Sequence, residues 1–386
     1  MYRNMTFSPY LCPMSGLYIH IPFCKQKCSY CDFHFSTRFE SYRKEMIAAL
    51  CNEMKLRRNE LKEQELNSVY FGGGTPSLLT ANEIQQIMST VRELFSLSEL
   101  AEVTLEANPD DISVSTLKSW KDAGFNRLSI GLQSFKDEDL KWMNRAHTKM
   151  EAEAAVGRAK NAGFDRLSVD LIYGLPNLSN EEWKEHLKKV IAMEVDHISA
   201  YCLTVEKKTA LSKWVSEGRI VPASEDQQSE QFLLLVDILA QNGYEQYEIS
   251  NFAKEGRYAI HNTAYWQGKS YLGIGPSAHS FDGAKRRWNV SNNTVYLKNL
   301  GVNDSWFEEE LLTSRERWNE LILTGLRTKF GVNLSDLTAI EPLNFTFQKK
   351  LNEFVESDLV LVNEEIVTLT PEGRLQADHI ASELFI

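Results

Sequence analysis

Residues 123–134 read AGFNRLSIGLQS and residues 162–174 read AGFDRLSVDLIYG, two copies of one phrase in successive stretches of the chain. Each copy places a helix-closing Gly before a short apolar, β-branched run that ends in turn residues, so each marks the junction of a helix with a buried strand. Strands that run parallel need a crossover between them, usually a helix. Working outward from the two copies, the same alternation predicts strands over 17–21, 68–71, 102–106, 127–130, 166–171 and 197–201. Six such units fall short of the eight in a closed barrel and predict an α/β fold, a partial (β/α)6 TIM-like barrel. Beyond Ser224, a helix over 225–241 and a Tyr-rich strand over 244–249 extend the sheet or cover its mouth. After about Leu300 the alternation stops. Helices, a small hairpin at 359–362 and 366–369, and a last helix after Pro371 predict a helical, winged-helix-like module. The chain then divides into a short tail (1–15), a core with its extension (16–300) and a C-terminal domain (301–386).

Composition limits the partners. The chain has 386 residues and a formal net charge of -11, which disfavours attraction to nucleic acid or to an anionic membrane. Winged helices often bind DNA, but from Gly331 onward three basic residues stand against ten acidic ones. That balance argues for packing or partner docking rather than phosphate contact. No apolar run is long enough to span a bilayer, and the first residues lack a signal pattern; a soluble, cytoplasmic protein is expected.

Six cysteines are too few for a disulfide scaffold. Cys12, Cys51 and Cys202 are scattered and read as inert thiols. Cys24, Cys28 and Cys31 crowd into one loop after the first strand, with the spacing C-x3-C-x2-C, at the end of the strands where barrels of this kind carry their sites. A structural zinc site wants four ligands, and His34 is the nearest candidate for a fourth. Four-iron clusters usually take four thiolates, so three would leave one iron open to another ligand.

The motif LYIHIPFCKQKCSYCDF at 17–33 resembles the radical S-adenosylmethionine superfamily. FGGGTPSLL (71–79), TLEANPD (104–110), RLSIGLQSF (127–135), VDLIYGLP (169–176), YEISNFA (247–253) and HNTAYW (261–266) follow in the order of proteins similar to oxygen-independent coproporphyrinogen III oxidase. The resemblance implies a [4Fe-4S] cluster on Cys24, Cys28 and Cys31. It implies S-adenosylmethionine contacts at Tyr18, Gly73, Gly74, Thr75, Glu106, Gln133, Arg145 and Asp170, with Gly73, Gly74 and Thr75 at the methionine end, Arg145 near the carboxylate and Asp170 near the ribose. Taken by themselves, the glycines suit a tight turn or close backbone approach, Glu106 suits an ammonium or hydroxyls, and Arg145 suits a carboxylate or is a surface charge.

The oxidases carry a further cysteine two residues after the third and a longer arm before the cluster loop. Here that position is Phe33, and twenty-three residues precede Cys24. Both departures point to the HemW-type haem chaperone branch, which implies haem as ligand and a haem-accepting protein as partner, with an electron donor if the cluster is redox-active. His261 is then the candidate haem ligand, Tyr265 a second possible ligand and Trp266 a packing surface, although each residue type is as readily core. His20 is expected to orient the cluster loop, and the loop at His279 to line the same pocket or merely turn the chain. Two alternatives remain open: radical decarboxylation of coproporphyrinogen III, and a ferredoxin-like electron carrier that uses the cluster alone.

Overall fold

Gly124 and Gly163 adopt φ of +98° and +80° just after the helices Val114–Ala123 and Lys149–Asn161. Only a residue without Cβ enters this left-handed region at no cost, so both helices stop there. The next strands begin within a few residues, and the repeated phrase is therefore the repeated unit of the fold. The computed structural model describes residues 15–386. Cys12 and, apart from Ser15, the expected tail lie outside the described residues.

Six strands run parallel in sequence order: β1 (Ser15–Ile21), β2 (Glu65–Gly73), β3 (Ser96–Ala107), β4 (Arg127–Gln133), β5 (Arg166–Tyr173) and β6 (His197–Cys202). Each contains one strand predicted from the sequence. Helices Arg43–Arg57, Ala81–Leu94, Val114–Ala123, Lys149–Asn161 and Asn180–Ala192 link them. Four of these helices begin with a reciprocal cap, at Thr80, Ser113, Thr148 and Ser179, in which two backbone donors that a helix start leaves unpaired are satisfied.

Alternation along each strand separates two environments. Leu17, Ile19 and Ile21, Val69 and Phe71, Leu128 and Ile130, and Val169 and Leu171 are all fully buried in one apolar core. The residues between them are mostly polar and pair across the inner face. Tyr70 donates to Glu106 at 2.7 Å, Ser129 to Asp170 at 3.2 Å, and Ser168 lies 2.7 Å from His197. An interior of this kind is a lined site rather than a packed barrel core.

Strands that are not further β-α units extend the sheet at both ends, all antiparallel to their neighbours except in one pairing, with β1, which is parallel. On one side β8 (Asn251–Ala253) pairs with β6 and β7 (Glu245–Glu248) forms the edge. On the other, β9 (Ser270–Ile274) lies parallel to β1, followed by β10 (His279–Phe281), β11 (Lys285–Asn289) and β12 (Phe307–Leu311). The segment after Ser224 thus widens the sheet, and β12 carries the sheet past the boundary expected at 300.

A second core gathers Trp318, Ile322, Leu326, Phe347, Leu351 and Ile380. It is built from helices Ser314–Leu326, Leu334–Ile340, Phe345–Glu356 and Ala377–Glu383 around a small sheet of β13 (Val332–Asn333), β14 (Val360–Asn363) and β15 (Ile366–Leu369). This module docks on the β7 edge, where Ile249 N–H donates to Arg327 O and Lys329 N–H to Tyr247 O, both at 3.0 Å. Among the described residues no helix is long and apolar enough to cross a membrane.

Candidate functional site

The loop after β1 is held from four directions. Cys24 N–H donates to Ser36 O at 3.1 Å, Ser36 N–H to Pro22 O at 2.9 Å and Ser29 N–H to Met143 O at 3.0 Å. The His20 ring, from inside β1, bonds His34 O at 2.8 Å, as expected of a loop-orienting residue. Gly74 lets the neighbouring loop close in: a Cβ there would fall 2.6 Å from Phe23 O and 2.8 Å from Ile21 O. The glycine run therefore serves the approach of two loops as well as any ligand.

A cavity of about 440 Å³ opens at the C-terminal ends of the parallel strands, within the size range of cofactor sites. Cys24, Cys28 and Cys31 line it together with Gly73, Gly74, Thr75, Glu106, Gln133, Arg145 and Asp170. The structure thus brings ten of the residues singled out in the sequence to one place. Tyr18 stands one step below the cavity, its hydroxyl 3.2 Å from His20 Nδ1 and its ring stacked 6.1 Å from that of Tyr70. Gln133 is aimed inward by a register shift between Gly131 and Gln133 and has φ of +66°, the re-aiming typical of a bulge next to a site.

Burial dominates the electrostatics. Desolvation pushes the thiol of Cys24 up to about 12 and that of Cys31 up to about 11, so both stay protonated at neutral pH unless positive charge is brought to them. Some support for thiolates is already in place: Thr75 Oγ1 donates to Cys24 Sγ at 3.3 Å, and Arg145 Nη1 lies 3.5 Å from Cys28 Sγ. Arg145 also donates to Asn108 Oδ1 at 2.7 Å and to Gly131 O at 3.0 Å, and its buried Nε has no partner among the described residues. Such an orphaned donor suits an incoming carboxylate. Burial raises Glu106 to about 7 against the opposing hydrogen bond from Tyr70, and burial raises Asp170 likewise. The Arg145 guanidinium together with the Glu106 and Asp170 carboxylates fits a ligand that carries a carboxylate, an ammonium and hydroxyl groups.

Among the described residues no three Cys, His, Asp or Glu side chains converge closely enough to hold a single metal ion. Three free thiols that line one cavity supply the soft sulfur donors that iron-sulfur clusters take. The donor set therefore fits an iron-sulfur cluster.

The haem candidates lie elsewhere, on the short helix Ile260–Trp266. Glu102 accepts the backbone N–H groups of Ile260 and His261 at 3.0 and 3.2 Å and fixes where that helix starts. His261 Nδ1 is 2.8 Å from Ser68 Oγ, and its ring stacks 5.1 Å from that of Tyr70. Among the described residues its Nε2 makes no hydrogen bond, and burial lowers its pKa to about 4. Tyr265 is half-exposed and Arg327 lies over the Trp266 ring at 5.0 Å. None of the three lines the cysteine cavity. His279 is exposed beside Trp288 and does not line it either.

Tyr70, Asn108 and Ser129 were not singled out in the sequence, yet they hold Glu106, Arg145 and Asp170 in place. Strand alternation offered a signal for two of them: Ser129 shares a face of β4 with Gly131, and Tyr70 shares a face of β2 with Ser68. Asn108 lies in a turn, where no period operates.

The chain matches the family model for the radical SAM superfamily over residues 18–190 and that for the HemN C-terminal domain over 312–375. It is 32% identical over 371 residues to the heme chaperone HemW of Bacillus subtilis (strain 168), covering 95% of this chain and 98% of that protein. It is 33% identical over 384 residues to heme chaperone HemW of Mycobacterium tuberculosis (strain ATCC 25618 / H37Rv), with 97% of each covered. A solved structure of coproporphyrinogen III oxidase (HemN) from Escherichia coli, described as a radical SAM enzyme, superposes with a TM-score of 0.82 at 25% identity, covering 97% of this chain and 90% of that one.

Proposed function

We propose that this chain, which belongs to the HemW family within the radical SAM superfamily, is a haem chaperone that binds haem and hands it to a haem-accepting protein. Full-length identity to chaperones of that name supports the reading, whereas the oxidase is a neighbour in fold. The observation that carries it is the one cavity that unites Cys24, Cys28 and Cys31 with a carboxylate-seeking Arg145 and two buried carboxylates.

Cys24, Cys28 and Cys31 would hold a [4Fe-4S] cluster by three irons, with the fourth iron left to S-adenosylmethionine. Gly73, Gly74 and Thr75 would line the methionine end, Arg145 would take the carboxylate, Glu106 the ammonium or ribose hydroxyls, and Gln133 and Asp170 the remainder of the nucleoside. Tyr18 would support the floor through His20. Bound together, cluster and ligand supply a one-electron reductant beside a reducible sulfonium.

His261 is the iron ligand of this reading. Its Nδ1 is oriented by Ser68 while Nε2 has no partner among the described residues, the arrangement usual for a ligating imidazole, and burial keeps the ring neutral. Tyr265 lies one helical turn further on as a second donor, and Trp266 flanks it. An electron donor completes the partners if the cluster is reduced, and the free thiols Cys24, Cys28 and Cys31 call for a reducing compartment such as the cytoplasm.

Anaerobically reconstituted protein should take up haem with a shift of the Soret band, and His261→Ala should lose that shift. Coproporphyrinogen III supplied with S-adenosylmethionine and reductant should not be consumed. Consumption of the porphyrinogen, or absence of any haem spectrum, would overturn the assignment.

A further inference from the structure

A second cavity, of about 860 Å³, opens outward from the first, with Cys31, Asp32, Phe33, Phe35 and Glu206 in the wall of both. It lies between the cysteine loop and the loop after β6. Phe33, Phe35 and Val205 give it an apolar surface, and Phe33 is 69% exposed. An aromatic ring left this open beside a cofactor site is a binding surface in search of a flat apolar partner.

The rim carries the opposite chemistry. Lys27, Arg38, Lys207 and Lys208 surround the cavity against two carboxylates, Asp32 and Glu206. Among the described residues none of the four cations lies within ion-pair distance of a carboxylate. On a chain whose net charge is -11, this local excess of positive charge attracts an anion to the mouth. The loop that presents two of the cations is also fixed. Lys208 holds φ of +67°, and Thr209 Oγ1 donates to Glu206 O at 2.6 Å. A strained non-glycine backbone of this kind persists where the surroundings over-determine it, and such positions cluster at ligand clamps.

We propose that this mouth cavity is a tetrapyrrole site that reads the two propionate carboxylates through its cations and the flat ring through Phe33 and Phe35, without ligating iron. No His, Tyr or Met lines it, and its one thiol, Cys31, belongs to the cluster set. It is distinct from His261, and it rests on the reading of the chain as a haem carrier. The chain thus has two stations for one class of cargo: one at the barrel mouth that recognises the ring and its carboxylates, and one that grips the metal. Phe33, which stands where the oxidases have their additional cysteine, becomes part of the first.

Iron-free protoporphyrin IX isolates the mouth station, because it offers nothing to His261. Its fluorescence titrated with the reconstituted full chain should give saturable binding. The charge reversals Lys27→Glu/Arg38→Glu and Lys207→Glu/Lys208→Glu should each weaken binding at least ten-fold, and Phe33→Ala should weaken it too. The dimethyl ester, which lacks the charges, should bind weakly to every form. Lys118→Glu/Lys188→Glu, the same charge change on exposed helical positions that do not line the cavity, should leave the affinity unchanged, and cluster content reports intact folding throughout. Equal affinity for the ester and the diacid, unchanged affinity in the charge reversals, or an effect of the reversals only on reduction of the cluster by an acidic electron carrier would overturn the proposal. Haem that shifts the Soret band in protein that ignores protoporphyrin IX would sink the mouth station alone, whereas indifference to both would remove the chaperone reading with it.

Discussion

Tyr70 connects the two halves of the polar interior: its hydroxyl donates to Glu106 at 2.7 Å while its ring lies 5.1 Å from that of His261. Burial holds Glu106 up to about 7, and the Tyr70 hydrogen bond works against that rise. An ammonium group prefers the ionised carboxylate, so affinity for S-adenosylmethionine should increase as pH rises through about 7. In Tyr70→Phe the midpoint should move to higher pH. A hydrogen bond to a charged group is worth about 1.5–3 kcal/mol, so affinity near neutrality should fall by roughly ten-fold or more. Calorimetric titration across a pH series checks both effects, and a pH-independent affinity would show that Glu106 does not meet the ligand's ammonium. For the ligand-free protein the sign is opposite. A carboxyl whose folded pKa is raised contributes stability that is lost as pH climbs from the ordinary carboxylate range through about 7. Cys28→Ala should abolish the cluster's visible absorbance after reconstitution, and Cys51→Ala, a change in an apolar core, should retain it.

Helix Arg43–Arg57 is joined to the sheet extension by a buried polar network as well as by apolar packing. Glu53, fully buried, accepts from Arg57 and Asn289 at 2.7 Å, from the Gly275 N–H at 2.7 Å and from the Tyr296 hydroxyl at 2.6 Å. Arg57 in turn donates to Gly273 O at 2.7 Å and to Ser280 Oγ at 2.8 Å. The network thereby ties the first crossover helix to β9, β10 and β11, strands that follow it by more than half the chain. Removing Glu53 leaves Asn289, Tyr296 and the Gly275 N–H without their buried acceptor, while Arg57 keeps Glu60 at 2.7 Å, at a cost of about 3–5 kcal/mol. Glu53→Ala should lower the unfolding free energy by that order, measured by chemical denaturation of the reconstituted protein; a change below about 1 kcal/mol would mean that water replaces the carboxylate. The edges of the sheet are managed differently. β12 presents Glu308, Glu309 and Glu310, charges that discourage pairing with another chain, and β7 is covered by the C-terminal module.

Arg327 is the joint between that module and the rest of the molecule. It lies 3.4 Å from the buried Glu248, 3.1 Å from Asp378 and over the ring of Trp266. Arg327→Ala strands the Glu248 carboxylate, already raised by burial, and should cost about 2–4 kcal/mol. Limited proteolysis should then cut faster near Leu312 while the cluster spectrum stays intact; unchanged proteolysis would show that backbone bonding alone holds the module. At this scale much was legible in advance. The repeated AGF phrase, with a cap glycine before each strand, determined the parallel units, because helix termination and strand burial are local properties of composition and spacing. The three cysteines and the seven other lining residues named from the sequence were equally readable, since residues at strand ends converge on one face of such a sheet. Tertiary structure alone decided the rest. That β9 joins β1 while β8 joins β6, that Tyr70 and Asn108 brace Glu106 and Arg145, and that Lys27, Arg38 and Lys207 surround one cavity all depend on contacts between residues far apart in the chain, and no local period records which distant partner a side chain will meet.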